Sequence, residues 1–313
     1  MIGYIVRRAL VAVPTLLIVT ILVFLLVRAI PGDPAQVLLG EGAPPAALAA
    51  MRTQLGLDQP LIAQYWLWLR QAFSGDLGHS IVTGEAVVPL VLSRFQLTAM
   101  IVLTAVLLAT IIATTGGLIA AWRRNGHIDL AISSAASLIL AVPSFWLGLI
   151  LLLVFGVQLR WLPVVGYVPL SEGWSAALAF LILPIATLTI SESGVLTRMM
   201  RASAVDVLRL DYVTHARAKG LSERAVLTRH VFPNAFAPTL TLVGLTLGHL
   251  LGGIAVVETV FTLPGLGRLM VDAILARDYP VVQGCLLFTA LIYVGVNLAV
   301  DLLYPLFDPR VAA

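Results

Sequence analysis

Charge is scarce in this sequence: Asp, Glu, Lys and Arg make up 11% of its 313 residues, where a soluble domain carries about 25%. With 60% hydrophobic residues and a mean hydropathy of +1.01, too few polar side chains remain to keep a globule wet, which argues against a water-soluble fold. The one cysteine, Cys285, lies inside an apolar run. That rules out an intramolecular disulfide framework and a cysteine-based metal cluster, and leaves the redox compartment open. The one lysine is Lys219, and no glycine-rich loop ends in lysine, so a phosphate cradle is absent and the chain handles no nucleotide itself. The five histidines, at 79, 127, 215, 230 and 249, lack the spacing of metal ligands. A formal charge of +3 does not point to nucleic acid, because the cations are nearly all arginines set between apolar segments, where they orient a chain in a bilayer.

What the sequence does have is long apolar runs, at about 9–30, 97–122, 130–159, 174–190, 236–260 and 281–303. Each is long enough to cross ~30 Å of hydrocarbon. They predict an all-α membrane protein of six transmembrane helices. Arg7 and Arg8 precede the first run, which exceeds the roughly 7–15 residues of a signal-peptide core and has no small-residue cleavage site behind it, so it reads as an uncleaved span. Pro14, Pro143 and Pro184 fall within runs and predict kinks rather than ends. Placing Arg7, Arg8, Arg123, Arg124 and the arginines of segment 192–235 on the cytoplasmic side satisfies the bias of short basic loops, and makes both termini cytoplasmic. The chain then divides into a first span with an extracytoplasmic segment, 1–96, and a five-helix core, 97–313, whose cytoplasmic loop is 198–235.

Segment 31–96 is too long for a simple connection and predicts local folding. Its aromatic stretch, Tyr65, Trp66 and Trp68, suits either an interfacial helix or a docking surface for an external partner. Loop 198–235 reads as helix, turn, helix. Helical periodicity over 202–218 is closed by Gly220, which tolerates a left-handed backbone; Ser222 caps the next helix, Glu223 sits in its first turn, and Pro233 stops it. Ala216 and Gly220, four apart, leave a shallow notch for a close-approaching partner. The bland alternative is a solvated loop whose arginines only set topology.

Thr214-His215-Ala216-Arg217-Ala218-Lys219-Gly220, with His230-Val231-Phe232-Pro233 after nine residues, resembles the E-A-A-x-x-x-G-x9-I-x-L-P loop of ABC importer permeases; Thr214, His215 and His230 depart from that pattern. The longer string from Asp211 to Leu221-Ser222 is similar to the dipeptide/oligopeptide/nickel branch. So are Gly32-Asp33-Pro34-Ala35, Leu55-Gly56-Leu57-Asp58-Gln59-Pro60 with Gln64-Tyr65, and Gly75-Asp76-Leu77-Gly78. Near the other end, Glu258-Thr259-Val260-Phe261 with Pro264-Gly265-Leu266-Gly267-Arg268, Arg277-Asp278-Tyr279-Pro280, Asp301-Leu302-Leu303-Tyr304 and Asp308-Pro309-Arg310 resemble it too. The resemblance implies a type I importer fold in a bacterial inner membrane and a second similar permease forming a pseudo-two-fold pore. It also implies two cytoplasmic ATPases that bind ATP and Mg2+, and an extracytoplasmic binding protein. It makes Thr214 to Arg217, Lys219 to Ser222 and Pro233 the ATPase-coupling residues. Glu258, Pro264, Gly265, Gly267, Arg277 and Asp278 become candidates for extracytoplasmic docking.

Gly244, Gly248 and Gly252 share a face and invite a close helix, within this subunit ahead of a second one. Glu192 and Asp301 sit near membrane boundaries, where an acid lines a wet cavity or is hydrated at the interface. No catalytic constellation emerges. A secondary transporter would show an internal repeat or mid-membrane acids on broken helices, and an intramembrane hydrolase would need a facing nucleophile and base; neither pattern is evident. The expected function is translocation of dipeptides or oligopeptides, with nickel or glutathione as alternative cargo.

Overall fold

The computed structural model describes residues 2–29, 33–40, 42–54 and 56–307. Gly32, Leu55, Asp308, Pro309 and Arg310 of the quoted motifs lie outside the described residues, as do the side chains of Arg7 and Arg8. Helix α1 (Ile2–Ala29) is followed by three short helices, α2 (Pro34–Leu39), α3 (Pro45–Gln54) and α4 (Leu61–Phe73). The core comprises α5 (Val87–Trp122), α6 (His127–Ala141), α7 (Ser144–Leu151) and α8 (Trp174–Val207). Then come α9 (Asp211–Ala218), α10 (Glu223–Val226), α11 (Phe232–Gly253), α12 (Ala255–Val260), α13 (Leu266–Leu275) and α14 (Tyr279–Phe307). No strand occurs among the described residues; His79 and Ala86 form one isolated bridge.

Two helices make the spine. α5 has 36 residues and α8 has 34, about 50 Å each at 1.5 Å per residue, so both overrun a bilayer core. Small residues let them touch: a Cβ on Gly117 would lie 2.7 Å from the Cβ of Met200. Around them Ile101, Val102, Leu181, Leu188, Leu251 and Leu263 close a buried core. Leu103, Leu107 and Ile111, at steps of four on α5, remain about half exposed, the stripe a bilayer solvates. α11 packs on α14 through the glycine face: a Cβ on Gly248 or Gly252 would come within 2.8 Å of Tyr293 or Thr289, and one on Gly244 would collide with Val300. The stripe is thus used within the subunit.

Four helical stretches, Val87–Trp122, Trp174–Val207, Glu223–Gly252 and Tyr279–Leu302, are long and apolar enough to cross a membrane, and the pair α6 with the helix from Ser144 makes a fifth if its 99° bend is counted inside one span. In α1 the described apolar part is Val13–Ala29.

Three sequence expectations change. Pro143 ends α6 rather than kinking it: Val142 before it is extended (φ −100, ψ 122), as the ring requires of its predecessor. Pro233 does not stop a helix. The backbone passes from α10 through a π-turn, Leu227–Val231, directly into α11, and the wider turn absorbs the proline's missing N–H. The run at 236–260 breaks at Ile254, so Glu258 stands on the separate short α12.

Segment 33–86 is folded, as its length predicts. Asp33 caps α2 by accepting from the Ala35 amide. α4 lies back on α1, with the Tyr65 hydroxyl 2.8 Å from that of Thr20 and Arg28 donating to Gln64 at 2.9 Å. Its outer face bears Ile62, Trp66 and Phe73, all more than half exposed, which suits an interfacial helix.

Candidate functional site at the two ends of the bundle

α5 connects two clusters. At one end Ala121 joins Met200, Val207, Val213, Ala216, Val226 and Val231 under an elbow. At the other, Val87 and Val91 meet Leu266, Tyr279, Val282 and Cys285.

The elbow begins where α8 ends. α8 runs on to Val207, so periodicity attributed to 202–218 belongs to two helices separated by a turn at Leu208–Leu210. α9 closes with Gly220 at φ +79. The amide of Leu221 donates to the Ala216 carbonyl at 3.3 Å and that of Gly220 to Arg217 at 2.9 Å, the paired bonds of a Schellman motif. The Ser222 hydroxyl accepts from the Ala225 amide at 3.4 Å, and Arg217 grips Glu223 through two bonds of 2.9 and 3.2 Å. At the π-turn, the His230 carbonyl accepts from the Asn234 side chain at 2.9 Å and from Tyr212 at 3.4 Å, which ties α9 to the start of α11.

Ala216 is 5% exposed and belongs to the elbow's core, so it does not border an open notch. The outward surface consists instead of Thr214, His215, Arg217, Lys219, Gly220 and Ser222. At Gly220 an added Cβ would meet nothing within 4 Å. Leu221 and Pro233 are half-buried and brace this surface from beneath.

A part-buried ion pair braces this end. Asp129, in the first turn of α6, takes a bidentate pair from Arg201 on α8, at 2.5 and 2.7 Å, and also holds Ser133 and the Asn125 amide. Its side chain is 6% exposed. Arg201 reads in sequence as one of many topology-setting arginines; an acid in an otherwise basic short connection was the available signal.

At the far end the motif residues turn inward. Glu258 is fully buried; it accepts from Thr98 at 2.5 Å and from the Arg268 amide at 2.8 Å, while Thr98 in turn accepts from the Leu266 amide at 2.9 Å. An acid thus sits at the N-terminus of α13, where N–H groups and the helix dipole favour it. Gly265 leaves room for that carboxylate, with which a Cβ would collide, and Gly267 packs against the Ala255 backbone, 2.7 Å from where its Cβ would be. Asp278, 4% exposed, accepts from the Ser80 hydroxyl and from the Ile81 amide at 3.1 Å. So Glu258, Gly265, Gly267 and Asp278 cross-link the fold and offer no docking surface. Of that set, Pro264 is half-buried and only Arg277 is exposed.

A family model described as binding-protein-dependent transport system inner membrane component matches residues 113–313, and one for the N-terminal part of such components matches residues 1–107. The chain belongs to this family. This permease is 42% identical over 311 residues to a protein of Brucella suis biovar 1 whose name makes it a peptide transport system permease, with 99% of both chains covered. It is 43% identical over 312 residues to the glutathione transport system permease protein GsiC of Escherichia coli K12, again with 99% of each covered. Among solved structures it resembles an inward-facing conformation of the MetNI methionine ABC transporter, at 16% identity and a TM-score of 0.59, over 70% of this chain and 96% of that one; at that identity the likeness speaks for the fold. The permease is accordingly an all-helical, multi-pass membrane subunit of an ABC importer, a transport component and not an enzyme.

Proposed function

We propose that this permease and a second similar permease line a pathway for short peptides, glutathione-like peptides included. An extracytoplasmic binding protein delivers the cargo, and two cytoplasmic ATPases carrying Mg2+ and ATP drive the cycle. The observation that supports it most is end-to-end similarity to permeases named for peptide and glutathione transport. The elbow faces the cytoplasm in this reading, together with both termini, because the short basic segments gather there. Each ATPase takes the outer face of α9 and its Gly220 turn into a groove. Displacement of the elbow then travels along α8, which is one unbroken helix from the middle of the bundle to Val207, and is shared with α6 through Arg201 and Asp129. Because α6 is followed by the sharp bend at Pro143, a small tilt at its base is redirected into α7.

The test is uptake. Deletion of this chain should abolish ATP-dependent accumulation of radiolabelled glycylalanine or glutathione, and its re-expression should restore it; unchanged uptake of both would overturn the assignment. Orientation is checked separately. In a Cys285→Ala background, thiols introduced by Ser74→Cys and Ser222→Cys should react with an impermeant reagent from opposite faces, and labelling of the second from outside intact cells would invert the topology.

A further inference from the structure

One face of α5 carries Val87, Val91, Arg94, Thr98, Ile101 and Ala105 at helical three- and four-residue steps, and every one except Arg94 is at most 1% exposed. A cation therefore interrupts a buried stripe, one turn beyond the Thr98 hydroxyl that binds Glu258. Its guanidinium has no carboxylate partner among the ion pairs of the described residues. Arg94 lines a cavity of about 260 Å³ whose other walls are Pro264, Gly265, Arg268, Leu269 and Asp272. Arg268 is held only loosely: Asp272 stands 3.7 Å away and is 65% exposed, so water screens that pair. Glu258, beneath the floor, has its oxygens occupied by Thr98 and the Arg268 amide. Gly265 keeps the floor low, because any side chain there would run into Glu258.

We propose that this cavity between α5 and α13 is a carboxylate subsite in which Arg94 and Arg268 grip the free carboxylate end of the peptide cargo. Two arginines lining one opening suit the planar, two-oxygen acceptor of a carboxylate. The volume falls short of the roughly 300–1,000 Å³ that encloses a drug-sized ligand, so it takes the end of a peptide while the rest stays in the pathway. A cation without an ion-pair partner among the described residues, on a stripe that is otherwise sealed and facing only the loosely held, exposed Asp272, is what a transient anion needs: a site not already closed by an internal partner. The identity of the cargo rests on the peptide-importer reading; the anion site does not.

The two parts separate in one labelling experiment on membrane vesicles carrying the full permease with its partner subunits. In a Cys285→Ala background, Leu269→Cys places a thiol in the cavity wall. It should react several-fold faster with a sulfonate-bearing methanethiosulfonate than with a trimethylammonium one, relative to a reference thiol from Ser74→Cys. Arg94→Gln or Arg268→Gln should return that preference to the reference ratio, while Arg94→Lys should retain most of it and so excludes simple misfolding. Trialanine should slow the labelling and trialanine amide should not. A ratio equal to the reference with both arginines present would overturn the anion site. A preserved ratio with equal protection, or none, from the two peptides would overturn the carboxylate cargo, and neither result would touch the uptake assay above.

Discussion

The elbow and the far-end cage are built from the same kinds of residue and put them to opposite uses. Each has a glycine-bearing turn between short helices, a nearby proline and acidic and basic side chains. In the elbow the apolar residues Val213, Ala216, Val226 and Val231 go inside, and Arg217, Lys219 and Glu223 stay in reach of water. In the cage the acids go inside: Glu258 and Asp278 are the buried centres, satisfied by hydroxyls and amides. A buried carboxylate fixed by several donors is an internal cross-link. A charged skin over an apolar wedge leaves the polar groups of the elbow in contact with water. The first arrangement locks the far end of the bundle; the second gives the elbow a firm apolar base under a charged surface.

Substituting one glycine at each end should expose that difference most strongly. Gly265→Ala drives a methyl group into the Glu258 carboxylate, and we expect a loss of about 3 kcal/mol or more, from overpacking against a buried acid. Gly220→Ala meets open space and should cost only about 1–2 kcal/mol, the penalty of a β-carbon at positive φ. Thermal unfolding of the detergent-solubilised permease checks both; equal losses would erase the distinction.

The strut comes next. Asp129→Ala leaves Arg201 half-hidden without its partner, for about 2 kcal/mol, less than a fully buried pair because Arg201 is partly in water. The exchange Asp129→Arg with Arg201→Asp should recover a good part of both stability and uptake. Recovery of stability with no recovery of uptake would separate the strut from transmission. Smallest of all is the exposed pair of the elbow: Glu223→Ala should cost below about 1 kcal/mol, and added salt should remove the difference from the parent. A larger, salt-independent loss would mean the elbow is held by its surface and not by its apolar core.

Local chemistry explains which features are legible in the sequence. Gly220 and Ser222 declare a turn and a cap within three residues, and both behave so. Gly244, Gly248 and Gly252 declare a close helix contact by their spacing alone. The prolines mislead because their effect depends on the backbone they interrupt. Pro233 falls in the first turn of α11, which continues directly from the π-turn; at Pro143 the preceding residue is extended and α6 ends. The cage misleads for a different reason. Glu258 meets Thr98 across 160 residues of sequence and Asp278 meets Ser80 across 198, so an acid at the end of an apolar run or in a loop reads as surface until its distant donor is known. Asp129 and Arg201, 72 residues apart, are hidden in the same way. Ala216 looked like a notch because small residues at four-residue spacing mark close approach without saying which side is approached; its neighbour proves to be the elbow's own core.

The central claim is that the elbow is where ATPase motion enters this permease, and Gly220→Arg tests it most directly. The added side chain points into open space, outside the buried core, so the variant should insert and accumulate like the parent. Affinity purification of the permease from matched membranes should then recover far less ATPase, with uptake of labelled peptide falling in step and Gly220→Ala showing a milder loss. Wild-type ATPase recovery and uptake by Gly220→Arg at equal expression would contradict the account.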